Sequence, residues 1–355
     1  DGDTVVVDAG NDAVISAPTA EQLADAKARI AERAAIGAAP VTPGALADGT
    51  PVPLLANLGS ANGAAEALQL GAEGVGLFRT EFLFLDADAD AAPSVREQQE
   101  HYTRLLTAFA GKKVVVRVLD AGADKPLSFL NDAPEENPAL GLRGIRALRH
   151  SEVILREQLT ALAAADAATA AELWVMAPMI ATVEETRYFT ALAKELGIKV
   201  AGVMVETPSA ALIADRVLAV TDFASIGTND LTQYTMAADR LLGTVANLQS
   251  PWHPAVLQLI ADVGTAGAEL GKPVGICGEA AADPLLAVVL VGLGATSLSM
   301  SPSALADVRA SLARYSPDDA KALARAALAA EGAAEAKQAA QSAASEITTT
   351  RATAS

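Results

Sequence analysis

Between Val52 and Ser301 the chain alternates short apolar runs with longer stretches whose apolar residues recur at helical spacing. Eight runs stand out: VPLLANL, GVGLFRT, KVVVRVLD, LWVMAPMI, VAGVMVE, FASIGTND, PVGICGE and SLSMSP. They are apolar nearly throughout instead of alternating, the pattern of strands buried on both faces of a parallel sheet. Stretches such as PSVREQQEHYTRLLTAF, TVEETRYFTALAKEL and PAVLQLIADVGTAGAEL separate them and predict amphipathic helices. Eight strand–helix units match the size of an α/β fold of the (β/α)8 barrel type, typically about 250 residues. An open doubly wound sheet is the competing arrangement, but no GxGxxG follows the first run.

The ends of the chain follow other patterns. TVVVDAGNDAVIS places two β-branched runs around a Gly-Asn-Asp turn and predicts a hairpin. A linker helix follows, with Thr19 and Gln22 at capping-box spacing, Leu23, Ala26, Ile30 and Ala34 on one face, and Gly37 as its stop. A hairpin too small to stand alone, then a helix, then a large body implies that residues 1–40 are the tail of an upstream domain and its linker. The barrel is expected over 41–330. The absence of an initiator Met agrees with a piece of a longer protein. The closing stretch 331–355 is rich in Ala, Ser and Thr with almost no large apolar residue, so it is expected to be disordered.

Composition narrows the function. The formal net charge of −17 excludes the basic surface that binding a phosphate backbone requires, so no nucleic-acid partner is expected. At 51% apolar residues the chain is not disordered as a whole. A single cysteine forms no internal disulfide, and DGDTVVVD lacks the basic and apolar regions of a signal peptide. The longest apolar run, Leu285 to Ala295, falls short of the roughly 18 residues needed to span a bilayer. These features predict a cytoplasmic protein without membrane insertion.

In a barrel, chemistry gathers at the C-terminal strand ends. The second run ends with Arg79; the third contains Arg117 and ends with Asp120; the fifth ends with Glu206. Asn229 and Asp230 close the sixth run, while Cys277 and Glu279 close the seventh. Glu206 and Asp230, on neighbouring strands, suit Mg²⁺; equally, Asp230 or Asn229 caps the next helix and Glu206 pairs with an arginine. Arg79 and Arg117 need anions, either Glu81 and Asp120 or a substrate phosphate or carboxylate. Arg240 can reach the same mouth, though alone it reads as a surface residue. Cys277 is either a small core residue or a thiol proton donor. His101, His150 and His253 read as surface or capping residues, and no histidine spacing suits zinc.

Five ordered strings, GAEGVGLFRTEFLF, NPALGLRGIR, VMVETPSA, FASIGTNDLTQYTMAADR and GICGE, resemble the phosphoenolpyruvate-binding C-terminal domain of enzyme I of the bacterial sugar phosphotransferase system. The resemblance runs from the hairpin to about Ala330 and independently implies a (β/α)8 barrel. It implies that Arg79, Arg117, Arg240 and Asn229 hold phosphoenolpyruvate, that Glu206 and Asp230 bind Mg²⁺, and that Cys277 protonates the enolate of pyruvate. Arg143 and Lys125 match further polar positions, but Ala123 stands where the family usually has a second glycine, which weakens the case for Lys125.

The same resemblance implies a phosphoryl transfer to a histidine of an upstream domain, release of pyruvate, passage to the phosphocarrier HPr, and homodimerisation. The family's Thr-Ser-His is absent, so only the substrate half is expected here. Three other readings remain open: the barrel of a phosphoenolpyruvate synthase or pyruvate phosphate dikinase, a non-catalytic phosphoenolpyruvate sensor or dimerisation module, and a Mg²⁺-dependent aldolase-type barrel. Retained Cys277 argues against a sensor, and three arginines against an aldolase. Together, Arg79, Arg117, Arg240 and Mg²⁺ would make a positive mouth in an acidic body.

Overall fold

A computed structural model of the chain describes residues 4–8, 13–85, 92–121, 127, 129–130 and 135–354. The predicted hairpin turn and the Ala123–Lys125 loop lie outside these residues. Two compact units are present, 1–42 and 43–355.

In the first unit, β1 (Val5–Asp8) pairs antiparallel with β2 (Ala13–Ser16), placing Val6 opposite Ile15. The helix Ala20–Ala38 starts at the expected capping box: Gln22 N–H donates to Thr19 Oγ1 at 3.2 Å, and Thr19 N–H to Gln22 Oε1 at 2.9 Å. It continues through Gly37 and ends at Ala38. Of its predicted apolar face, Leu23 and Ala26 are half-buried, whereas Ile30 and Ala34 are exposed.

The second unit is a closed parallel barrel in the order β10-β3-β4-β5-β6-β7-β8-β9. Its strands are β3 (Leu54–Leu58), β4 (Val75–Arg79), β5 (Lys113–Arg117), β6 (Glu172–Ala177), β7 (Ala201–Val205), β8 (Ala224–Ile226), β9 (Val274–Ile276) and β10 (Ser297–Met300). Each predicted apolar run supplies one strand, and β10 closes the ring against β3 with Leu298 opposite Leu54.

The continuous apolar runs have a direct physical cause. One face of each strand packs on the helices, in a core that includes Val75, Phe78, Val114, Val116, Val203 and Ile226. The other face points into the barrel, where Leu77, Val115, Met176, Met204, Phe223 and Cys277 form a separate cluster. Gly202 is required there: a Cβ would lie 2.3 Å from the Phe223 ring. With both faces dry, polar residues are pushed to the strand ends. Among the described residues, no helix is long and apolar enough to cross a membrane.

The expected disorder of 331–355 is corrected by the structure. Ala333–Ala354 is a helix, and its Ala336, Ala340 and Ala344 are buried. It packs on the helices Pro317–Leu328 and Pro284–Gly292. Alanines four apart share a face and let helix backbones approach closely, so the helix docks mainly through small side chains, with Ile347 as a larger apolar contact. Arg351 adds an ion pair to Asp319.

Ala340→Asp places a charge in this seam and should cost about 1–3 kcal/mol. Hydrogen exchange should then accelerate across 333–351 while the barrel strands keep their protection; equal acceleration throughout would contradict independent docking of the helix.

Candidate active site

All the described strand-end residues singled out above meet at the C-terminal mouth of the barrel, around a cavity of about 260 Å³. Arg117, at the end of β5, pairs with Glu81 and, at 3.0 Å, with Asp120. Asp120 accepts a second guanidinium, Arg143, at 3.2 Å. Arg143 reaches Asp230 at 2.9 Å, and Asp230 in turn binds Arg240 at 3.1 Å. The result is a ladder of alternating sign, Glu81–Arg117–Asp120–Arg143–Asp230–Arg240. Tyr234 Oη accepts from Arg143 at 3.1 Å and donates to the Ala139 carbonyl.

Arg79 stands apart from this ladder. It is exposed at the mouth and, among the described residues, makes no ion pair. Burial disfavours the charges of Arg117 and Arg143, but their carboxylates outweigh it and raise both guanidinium pKa values. Asp120 shows the complementary balance: burial opposes ionisation, and Arg117 with Arg143 overcomes it, so its pKa is lowered.

Glu206 has the opposite fate. Its carboxylate is fully buried after β7 and accepts the Met179 N–H at 2.6 Å. Burial, then repulsion from Asp230 and Asp120, pushes its pKa up to about 8. Met179 holds that N–H in place from the left-handed region, at φ 56°. Gly227 supplies the clearance, since a Cβ there would lie 2.8 Å from Glu206 Oε2.

Charge around the cavity is balanced, not positive. Four arginines (79, 117, 143, 240) face five carboxylates (Glu81, Asp120, Glu206, Asp230, Glu279) among the described lining residues. The arginines alone therefore do not make the expected positive mouth. Glu206 and Asp230 offer hard oxygens that repel each other, a donor set that fits a divalent cation completed by water and ligand oxygens. The capping alternative is corrected by the structure: the helix Thr228–Met236 begins after Gly227 without a side-chain cap, Asp230 inside it pairs with Arg143 and Arg240, and Glu206 accepts a backbone N–H instead of an arginine.

Cys277 follows β9, the neighbour of β8, and is 2% exposed. Burial pushes its thiol up to about 11, so it is protonated at neutral pH. Its N–H donates to the Ile226 carbonyl at 3.0 Å. Gly278 must be glycine, as a Cβ would overlap Thr228 Oγ1 at 1.8 Å. Asn229 Oδ1 accepts the Glu279 N–H at 3.1 Å, which leaves its amide N–H groups for a ligand. His253 caps the helix Pro254–Leu270, its Nδ1 accepting the Ala255 N–H.

Three residues of this mouth escaped the sequence reading. Asn57 had a signal, being the lone polar residue inside an apolar run. Met179 and Tyr234 had none, because their parts depend on a backbone angle and on a partner 91 residues away.

A barrel whose mouth carries arginines, paired carboxylates and a buried thiol defines a class. Residues 33–316 match the PEP-binding domain of the PEP-utilising enzymes, and the chain belongs to that family. Its relatives are more particular. Phosphoenolpyruvate-protein phosphotransferase of Streptomyces coelicolor is 52% identical over 342 residues, which is 96% of this chain and 61% of that protein. The proteins of the same name from Geobacillus stearothermophilus and Haemophilus influenzae are 41% and 40% identical, covering 90% and 95% of this chain. The chain spans 57–61% of the length of these relatives.

Glu206 binds its proton more tightly folded than unfolded, since its pKa rises from 4.5 to about 8. Stability from this group is therefore greatest below pH 4.5 and declines as pH rises towards 8. Glu206→Gln should remove that decline and stabilise the ligand-free protein by about 1–2 kcal/mol at pH 8. Thermal melts at pH 6 and pH 8 check it; a lower melting temperature for the variant at pH 8 would refute the burial argument.

Proposed function

We propose that this mouth binds phosphoenolpyruvate and supports transfer of its phosphoryl group to a histidine, releasing pyruvate, as the phosphoenolpyruvate-protein phosphotransferase part of a sugar-uptake system. The observation that carries the proposal is Arg79, without an ion pair among the described residues, sharing one cavity with the arginine ladder, the Glu206–Asp230 pair and the Cys277 thiol. A ligand bearing both phosphate and carboxylate uses every one of these groups.

Arg79 meets the ligand without first losing a carboxylate partner. Arg117, Arg143 and Arg240 arrive oriented by Glu81, Asp120 and Asp230, and a guanidinium retains donors beyond those its carboxylates occupy. Asn229 presents its amide to the same ligand. Glu206 and Asp230 would hold Mg²⁺, which supplies the positive charge that the balanced lining lacks and neutralises phosphate oxygens. Phosphoryl transfer needs such positioning and neutralisation more than covalent help.

When the P–O bond breaks, the enolate of pyruvate remains. The Cys277 S–H bond then breaks as a C–H bond forms at C3, the enolate becomes the ketone, and the thiolate recovers a proton from water. High thiol pKa keeps the proton in place until the enolate, a stronger base, appears. No histidine lines the cavity among the described residues, so the acceptor comes from elsewhere, namely the phosphohistidine domain. HPr as the next acceptor, a homodimer and a cytoplasmic location belong to the same proposal, as what the resemblance of the sequence implies.

Calorimetric titration should show phosphoenolpyruvate binding that depends on Mg²⁺, weakened about 10- to 100-fold by Arg79→Ala through lost charge-assisted hydrogen bonds. Absence of binding with and without Mg²⁺ would overturn the reading. Cys277→Ala should bind phosphoenolpyruvate within about twofold of the parent yet form no pyruvate when a phosphohistidine domain is supplied. Normal turnover by that variant would remove the thiol from the mechanism.

A further inference from the structure

Cys277 lies one residue beyond the end of β9, so its carbonyl has no strand partner in the ladder between β9 and β10. A side chain from the far side of the barrel seam takes that place. Asn57, on β3, donates from Nδ2 to the Cys277 carbonyl at 2.9 Å and to the Ser299 carbonyl at 3.4 Å. The Ser299 hydroxyl donates to Asn57 Oδ1, which fixes which end of the amide faces Cys277. Three consecutive barrel strands, β9, β10 and β3, are thereby tied at one point.

The thiol segment is held from its other end as well. Glu279 N–H is bound by Asn229, and Cys277 N–H by Ile226. Sγ sits 3.5 Å from the Ile226 carbonyl. Among these holds, the one from Asn57 is set apart by location. Asn57 does not line the main cavity but a neighbouring one of about 260 Å³, which shares Arg79, Gly278 and Glu279 with it. It touches the backbone of the proton donor from this neighbouring cavity.

We infer that Asn57, locked by Ser299, is a positioning residue that holds the Cys277 thiol for proton delivery to the enolate carbon. The inference rests on the reading of the mouth given above. Proton transfer to carbon tolerates little misplacement of the donor, and a displacement of an ångström costs about 100-fold. Asn57→Asp keeps the size but turns an oxygen towards the Cys277 carbonyl, so the hold becomes a repulsion. Ser299→Ala keeps Asn57 but frees its amide to turn.

The full 355-residue chain carries the test. Three quantities are compared with the parent: the rate of Cys277 alkylation by iodoacetamide without ligand, the Mg²⁺-dependent exchange of pyruvate methyl hydrogens in D₂O, and the affinity for phosphoenolpyruvate. For Asn57→Asp, alkylation should rise and exchange should fall, each by about tenfold or more, with affinity changed less than about threefold. Ser299→Ala should shift the same way by less, and it decides the matter if Asn57→Asp does not fold. A lower melting temperature with alkylation and exchange both unchanged would mean that Asn57 only closes the barrel, and the inference would fall. If the parent itself neither binds phosphoenolpyruvate nor exchanges pyruvate, the functional reading fails. Alkylation still decides the hold on the thiol: unchanged rates sink it and faster rates keep it.

Discussion

The alternating ladder from Glu81 through Arg117, Asp120, Arg143 and Asp230 to Arg240 is the interaction on which the mouth of this barrel depends. Its inner members are almost fully buried, with Arg117 and Arg143 at 7% and 5% exposure and Asp120 and Asp230 at 7% and 6%. A buried ion without a partner costs about 3–5 kcal/mol, so none of these residues can be placed independently of its neighbours. The six rungs come from four connections: the segment after β4, the end of β5, the approach to Ile145–His150, and the helix Thr228–Met236 with the turn that follows it. Closing the barrel in its observed order is what makes the rungs meet.

Around that ladder the site keeps features that stability alone would not select. Glu206 is held buried beside like charges, and Met179 occupies a strained backbone angle to present its N–H to it. Among the described residues, Glu81 Oε2 and Thr228 Oγ1 are buried without hydrogen-bond partners. Removing such burdens usually stabilises a protein at the expense of function. Their concentration at one mouth, with Arg79 unpaired beside them, is the pattern of a binding site prepared in advance. Under the proposed function, a chain of net charge −17 takes an anionic ligand because Arg79 is free of a carboxylate partner among the described residues and a cation held by Glu206 and Asp230 would add the positive charge that the matched arginines do not supply.

Much of the architecture was legible in the chain because two-sided burial leaves a strong mark. Eight nearly unbroken apolar runs became eight parallel strands, and the polar residues closing five of them marked the mouth. The Ala-rich end was misread for a related reason. Hydropathy measures the size of an apolar side chain, whereas Ala336, Ala340 and Ala344 dock by being small. Their spacing was visible, but the neighbouring helices that make use of it are distant in the chain.

What the sequence determined by itself was periodicity and chemistry: strand runs, capping boxes, arginines and a thiol at strand ends, and the ordered strings that resemble a family. Only the tertiary structure decided pairing. That Asp230 serves Arg143, that the charge around the cavity is balanced, and what binds the Cys277 carbonyl from across the barrel seam all depend on distances between residues far apart in the chain. Asn57 reaches the Cys277 carbonyl across 220 residues of sequence. Burial and Coulomb interaction act through space, so one-dimensional pattern can name the charged and polar groups but cannot say which of them compensate one another.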